Sequence, residues 1–119
     1  MENLNLRKAV AEALGCKARI LDIGLICECK EVETIIRHVQ EKSMILIKPY
    51  ELDHHAALDA LEEYCEKREY VWDLCHGCDG YSCMIWKPAP DNYLILANES
   101  NNSLAIAICE AIKAAAEGK

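Results

Sequence analysis

The chain of 119 residues can bury one hydrophobic core and is too short for two, so we expect a single domain over residues 1–119. Its apolar fraction of 52% and its charged fraction of 28% exclude the composition of a disordered chain. A formal net charge of -7, with no run of Lys or Arg, argues against electrostatic binding to nucleic acid or to anionic lipid.

The compartment follows from the segments that the sequence lacks. No stretch approaches the roughly 20 continuous apolar residues of a membrane span, and the first residues lack the basic-then-apolar layout of a signal peptide. We therefore expect a cytoplasmic protein with no membrane partner. In that reducing compartment the eight cysteines should be thiols, metal ligands or reactive groups rather than disulfides.

The amino-terminal segment has the apolar spacing of a helix. Apolar residues recur every three or four positions from Leu6 to Leu14, and the helix can begin at Asn3 or Asn5. Gly15 supplies a residue that favours the left-handed conformation at a helix end. The sequence thus predicts a first helix that ends at Gly15.

Short apolar runs follow this helix. Residues 19–23 and 25–29 predict either two short strands or one bulged strand. Residues 31–40 fit both a helical stripe and a strand, and we interpret them as a helical turn or an irregular segment. Residues 44–48 predict a strand that Pro49 closes.

A second helix is the clearest predicted element, and Asp53 is a favourable residue to cap its start. One face of this helix is apolar and the opposite face carries Glu and Lys side chains, which we expect to lie in solvent. The expected buried stripe consists of Ala57, Leu58, Leu61, Tyr64 and Cys65.

The second half of the chain favours a hairpin, a strand and a helix. Residues 70–75 and 81–86 predict a β-hairpin around a turn at 76–80, which contains an Asp-Gly pair. Residues 93–97 predict a further strand, and a last helix should start near 100–103. Because hairpins are present and regular βαβ alternation is absent, the sequence predicts an α+β fold with a largely antiparallel sheet and about three helices.

Three segments resemble those of a known family. Residues 47–58 contain a Pro-Tyr pair and an Asp that lead into an Ala-Ala-rich helix, 104–112 form a closing Leu-Ala-rich helix, and 10–17 are similar in order and spacing. The chain in these respects resembles the phage ABA sandwich domain family, in which a Ser often stands at the position of Glu51. The resemblance implies a three-layer α/β/α sandwich in a phage or prophage product. That family has no established activity, so the resemblance assigns no functional residue.

Cysteine spacing raises the possibility of a zinc site. Two pairs of thiolates from two hairpins can supply a tetrahedral set for Zn²⁺. The candidate ligands are Cys27, Cys29, Cys75 and Cys78, with Cys83 or His76 as substitutes. The alternative is that the thiols are small buried hydrophobes, which we favour for Cys75 and Cys78 and especially for Cys65 and Cys109 on their helices.

The Cys75-x-x-Cys78 spacing also suggests a redox dithiol. Such a dithiol normally places its first Cys at a helix N-terminus, whereas here an Asp-Gly turn and a strand follow.

The sequence also lacks the motifs of common enzyme classes. His54 and His55 are adjacent and cannot hold one metal as two His residues four apart on a helix can. Because the sequence also lacks a nucleophile elbow, a P-loop and a dinucleotide-binding Gly-rich turn, we expect that it is not an enzyme.

The aromatic residues of the hairpin region are open to two interpretations, core or contact surface. Strand alternation places Tyr70, Trp72 and Leu74 on one face, which we expect to be core, and leaves the sheet rim and residues 76–80 as the expected contact site.

We hypothesise a small non-enzymatic binding or regulatory protein of phage or prophage type that interferes with host defence or signalling. Its partner is a protein or a small molecule, and the sequence leaves a homo-oligomer open. The alternatives are a zinc-stabilised cysteine-rich module and a dithiol redox protein.

Overall fold

The structure, a computed structural model, describes residues 3–15, 18–21, 24–27, 38–41, 44–47, 49–78, 80–90 and 92–117. In the four ranges between residues 18 and 47, the description covers the backbone only. The helices are α1 (Leu4–Ala13), α2 (His54–Arg68) and α3 (Leu104–Glu117). The strands are β1 (Ala18–Leu21), β2 (Gly24–Cys27), β3 (His38–Glu41), β4 (Met44–Ile47), β5 (Val71–Gly77), β6 (Gly80–Pro88) and β7 (Tyr93–Asn101). None of the helices in these ranges has the length and apolar character needed to cross a membrane.

The strands form two antiparallel sheets. The first has four short strands in the order β1-β2-β4-β3, and the second has three longer strands in the order β5-β6-β7. The predicted α+β class, with antiparallel sheet and three helices, is confirmed. Among the described residues the three helices lie on one side of the β5-β6-β7 sheet, so the second helical layer of the α/β/α sandwich that the resemblance implies is not found there. Residues 19–23 and 25–29 correspond to two separate strands, β1 and β2, rather than to one bulged strand.

Neighbouring residues in the sequence set both ends of helix α1. The Asn3 side chain accepts a hydrogen bond from the Leu6 N–H at 3.0 Å, which satisfies one of the unpaired donors at the helix start. After the helix Gly15 takes φ +93, a conformation that favours glycine. The prediction of this helix is confirmed.

Helix α2 is capped at both ends. The Asp53 side chain accepts hydrogen bonds from the N–H groups of His55 and Ala56, as the sequence predicts. At the other end the Arg68 guanidinium donates to the carbonyl of Tyr64 and to the carbonyl of Ala13, at 3.3 and 3.0 Å. Because Ala13 is the last residue of α1, one cation stabilises the carboxyl ends of two helices.

The core lies between the three helices and one face of the β5-β6-β7 sheet. Strand β6 contributes Cys83 and Ile85, which are fully buried, and β7 contributes Ala97. Against them pack the apolar stripes of the helices, a match of one sheet face to several helical faces. The largest fully buried apolar side chains of the helices are Val10, Leu61, Tyr64, Ile108 and Ile112.

A buried ion pair links the start of α1 to the turn that precedes α2. Arg7 Nε donates to Glu51 Oε1 at 2.8 Å, and Arg7 Nη2 donates to Glu51 Oε2 at 2.7 Å. The Asn3 N–H donates to the same Oε2 at 2.9 Å, so the carboxylate accepts hydrogen bonds from a side chain and from the backbone. Glu51 is 1% exposed, and a carboxylate this buried needs such partners to stay charged. No pattern in the sequence predicts this pair, because its members are 44 positions apart.

Two predicted elements differ in the structure. Residues 31–40 were interpreted as a helical turn or an irregular segment, yet His38–Glu41 is strand β3, which pairs with β4; residues 31–37 lie outside the described ranges. β-Branched and polar residues in this segment fit either period, and pairing with β4 decides in favour of a strand. The hairpin turn is also tighter than predicted, because Gly77 pairs with Gly80, so β5 extends to Gly77 and β6 begins at Gly80.

Loss of one member of the buried pair should be costly. We expect Arg7→Met to lower the free energy of unfolding by about 3–5 kcal/mol, since it leaves the Glu51 carboxylate buried without its cation. The matched control is Lys67→Ala, which removes an exposed i,i+4 pair with Glu63 at 3.6 Å and should cost less than about 0.5 kcal/mol. Urea denaturation measures both, and equal losses would contradict the role given to the pair.

The same pair should make stability depend on pH. Burial raises the pKa of Glu51, but hydrogen bonds from Arg7 and from the backbone N–H of Asn3 outweigh it, so the pKa lies below its ordinary value of 4.5. The stabilisation is therefore present above pH 4.5 and is lost as pH falls through the folded-state pKa. Thermal melts of the wild type from about pH 7 to about pH 3 should show this loss, and Glu51→Gln should show a smaller slope.

Candidate functional site

The face of the β5-β6-β7 sheet that points away from the helices is apolar and open. Cross-strand register places Val71 opposite Trp86 and places Trp86 opposite Ile95, and Met84 lies two residues before Trp86 on the same face. Val71 is 38% exposed and Ile95 is 60% exposed, although both are large hydrophobic residues in strands. We call this surface the open face and define it as Val71, Met84, Trp86, Tyr93 and Ile95.

The open face has a defined shape. The rings of Trp86 and Tyr93 meet edge to face with centroids 6.1 Å apart, a favourable geometry for an aromatic pair. They border a shallow hollow of about 440 Å³. Its lining consists of the open-face residues and Asn92. A hollow of this kind accepts an apolar side chain from a partner.

Few charges accompany the apolar residues. Asp73 lies opposite Met84 and is exposed, and Lys87 lies opposite Leu94 and is also exposed. The exposed carboxylates of α2, such as Glu62 and Glu66, belong to the helix layer on the other side of the sheet. The net charge of -7 is therefore not concentrated on the open face.

The aromatic residues are divided between the two faces of the sheet. Trp72 and Tyr70 are partly buried and pack against the core, as strand alternation predicted. Trp86 and Tyr93 lie on the open face, away from the helices. The sequence indicates a contact surface in this region but favours the sheet rim and the hairpin turn. Along β6, Met84 and Trp86 alternate with Cys83 and Ile85, and this alternation is the sequence pattern that indicates a second apolar face.

The predicted zinc ligands fall into two groups. Cys75 and Cys78 are exposed at the β5-β6 hairpin, so the interpretation of these two as small buried hydrophobes is wrong. Cys27 ends β2 with only its backbone described, and Cys29 lies outside the described ranges. Among the residues that the structure describes, no three His, Cys, Asp or Glu side chains form a group able to hold a metal ion. Zinc binding by Cys27, Cys29, Cys75 and Cys78 stays a prediction.

The proposed substitute ligands occupy different surroundings. Cys83 is 0% exposed in the core and pairs with Leu74, so it lies on the opposite sheet face from Cys75 and cannot replace it. His76 stacks on Tyr81 across the hairpin, with ring centroids 4.5 Å apart. Cys75 lies within a strand and Cys78 in a turn, so neither thiol has the helix N-terminus that lowers the pKa of a redox dithiol.

Three thiols are part of the core. Burial raises the pKa of Cys65 to about 11 and that of Cys83 to about 12. Burial raises the pKa of Cys109 further. At neutral pH these groups stay protonated and behave as small hydrophobic side chains, as the sequence predicted for Cys65 and Cys109.

A second hollow, of about 350 Å³, lies where the carboxyl ends of the three helices meet. Tyr64 and Arg68 line it together with Lys113 and Glu117. The Arg68 guanidinium lies 4.1 Å from the centre of the Tyr64 ring and also caps α1 and α2. Since the cation is engaged in stabilising the helices, this hollow receives no functional assignment.

Thiol accessibility should separate the two classes of cysteine. In the native protein at about pH 8, iodoacetamide should modify Cys75 and Cys78 at least about tenfold faster than Cys65, Cys83 and Cys109. The reagent can reach the first two, whereas the other three are buried and their raised pKa keeps them protonated. Peptide mass spectrometry of timed samples gives the rates. If Cys75 and Cys78 instead resist modification until a chelator is added, they hold a metal ion.

Protein-family models, curated proteins and solved structures were each compared with the chain, and none matches it.

Proposed function

We propose that this protein is a small non-enzymatic binding or regulatory protein that recognises a protein partner through the open face. The observation that carries the proposal is an apolar surface on a sheet whose other face is covered by helices. On this surface Val71, Tyr93 and Ile95 are exposed, and Met84 and Trp86 are half-buried. Exposed contiguous apolar surface of this kind is typical of sites of protein contact.

The chemistry of the surface favours a protein over other macromolecules. Tyr and Trp side chains are enriched at the energetically important centres of protein interfaces, and here they flank a hollow. Phosphate-rich partners require clustered cations, whereas Lys87 is the single Lys or Arg within β5, β6 and β7. A partner with an exposed aliphatic or aromatic side chain fits the hollow best.

Two observations support a non-enzymatic role. The buried carboxylate of Glu51 is committed to its ion pair with Arg7, and the buried thiols of Cys65 and Cys83 are held protonated by their raised pKa values. On the open face the neighbouring titratable group is Asp73, which is exposed and accepts a hydrogen bond from the Leu74 N–H. These groups lack the paired, perturbed arrangement of an acid-base or nucleophilic site.

The resemblance to the phage ABA sandwich domain family gives the proposal its biological setting. In that setting the protein acts in the host cytoplasm, and its partner is a host protein of a defence or signalling system. A short phage product that binds such a protein needs a contact surface and no chemistry of its own. The open face meets that requirement.

A site-specific crosslink tests the proposal. A photoreactive p-benzoylphenylalanine placed at Val71, on the side of the open face away from β7, should give a discrete adduct when the protein is irradiated in bacterial cytoplasm. Mass spectrometry identifies the adduct. The same crosslinker at Glu62, exposed on α2, is the positional control and should give no such adduct.

A variant of the open face completes the test. Met84→Lys places a cation opposite Asp73, which should be tolerated by the fold, and should abolish the Val71 adduct by charging the centre of the hollow. Glu62→Gln changes the net charge by the same amount and should leave the adduct intact. No adduct from Val71, or an adduct that persists in Met84→Lys, would contradict recognition through the open face.

A further inference from the structure

Strand β7 begins with three large apolar residues that are all exposed. Tyr93, Leu94 and Ile95 are 59%, 51% and 60% exposed. Side chains of consecutive strand residues point to opposite faces, so this segment is exposed on both sides of the sheet. Runs of three exposed apolar residues are unfavourable in water unless a partner covers them.

The segment also lies on an open edge. In the order β5-β6-β7 the strand β7 has β6 on one side and no strand of the described residues on the other. The turn before it is closed by two hydrogen bonds between Ala89 and Asn92, and the Asn92 side chain accepts from the Tyr93 N–H at 2.8 Å. The edge therefore starts in a fixed extended conformation at Tyr93.

Only the carboxyl half of β7 carries features that prevent edge-to-edge pairing. The register between β6 and β7 shifts by one residue, because Ile85 pairs with Ala97 whereas the next residue, Trp86, pairs with Ile95. Leu96 is therefore the extra residue of a β-bulge. Beyond Ala97 the strand has a polar run of Asn, Glu, Ser and Asn. Bulges and charges protect strand edges, but residues 93–95 have no Lys, Pro, charge or bulge.

We propose that residues 93–95 pair with the same segment of a second copy of this chain, antiparallel across a twofold axis at Leu94. In that register Leu94 lies opposite Leu94 of the other copy, and Tyr93 lies opposite Ile95. Every cross-strand pair is apolar, and the interface is its own complement, as a twofold dimer requires. The product is a six-stranded antiparallel sheet in which the two open faces form one continuous surface.

The charge distribution permits this self-pairing. The charged residues within β5, β6 and β7 are Asp73, Lys87 and Glu99, and of these only Lys87 lies beside the segment, opposite Leu94. The net charge of -7 per chain is carried largely by other elements. Two chains of like net charge still repel at long range, so the dimer should be stabilised by added salt.

The size of the contact sets the expected strength. Three residues per copy bury far less than the roughly 800 Å² per partner of a standard stable interface, which places the dimer in the weak and reversible class. Tyr93 and Ile95 belong to both surfaces, but strand pairing joins their backbone groups at the edge, whereas a partner on the open face contacts their side chains. Leu94 belongs to the edge alone and Met84 to the open face alone, so variants at these two positions separate the two contacts.

Analytical ultracentrifugation over about 5 to 500 µM tests the proposal. We expect a reversible increase from the chain mass of 13.4 kDa toward twice that mass, stronger in high salt. Leu94→Glu should weaken the dimer at least about tenfold, since two carboxylates then face each other, while Lys87 opposite the substitution preserves the fold. Met84→Lys, the open-face variant, should leave the dimer unchanged.

A charge exchange tests the register itself. Leu94→Glu mixed with Leu94→Lys that also carries Lys87→Gln, which removes the like charge opposite the new lysine, should restore the dimer. In the wild type, concentration-dependent amide protection should appear at residues 93–95 and not in β5, the other edge strand. A wild type that is monomeric at all concentrations, a dimer insensitive to Leu94→Glu, or a mixture that stays monomeric would each overturn the proposal. If the Val71 crosslink also fails, the function proposed for the open face fails separately.

Discussion

The buried ion pair between Arg7 and Glu51 holds together the two helices on which the rest of the structure depends. Glu51 lies in the turn that ends at the Asp53 cap of α2, and its carboxylate receives hydrogen bonds from the Arg7 side chain and from the backbone of Asn3, the cap of α1. Both helix starts are therefore tied to one carboxylate. Because a buried charge without its partner is so unfavourable, the pair fixes the relative position of α1 and α2 more strictly than apolar packing alone can. Arg68 makes the corresponding link between the carboxyl ends of the same helices.

This helix layer explains why one sheet face is available. The helices cover the face that presents Cys83, Ile85 and Ala97, and the apolar stripes of the helices are buried in that contact. The opposite face is apolar around Trp86 and becomes polar beyond Met84, which pairs with Asp73 and Asn98. A sheet with one face covered and an apolar area on the other has surface left for a partner. The open face and the exposed edge at residues 93–95 are two consequences of the same one-sided packing.

The cysteines illustrate how position in the fold assigns chemistry to identical side chains. Cys75 and Cys83 are eight residues apart on paired strands, yet one is exposed and the other fully buried because they point to opposite faces. Burial raises the pKa of Cys83 and makes it an inert packing group, whereas the thiols of Cys75 and Cys78 remain accessible for modification or for a metal ion. A cysteine-rich sequence does not by itself distinguish these outcomes.

The sequence alone determined the elements whose signals are local. Asn3 and Asp53 cap their helices through hydrogen bonds that span two or three residues, apolar spacing defines the helical stripes, and Gly80 permits the tight hairpin, where a Cβ would approach Asn101 O to 2.7 Å. Tertiary structure decided what depends on distant partners. Strand β3 forms because β4 pairs with it, and Glu51 is buried because Arg7 reaches it across 44 positions. Trp86 lies on the open face because the helices cover the other face. Alternation divides the strand residues between two faces, but only the packing of helices against the sheet determines which face becomes core.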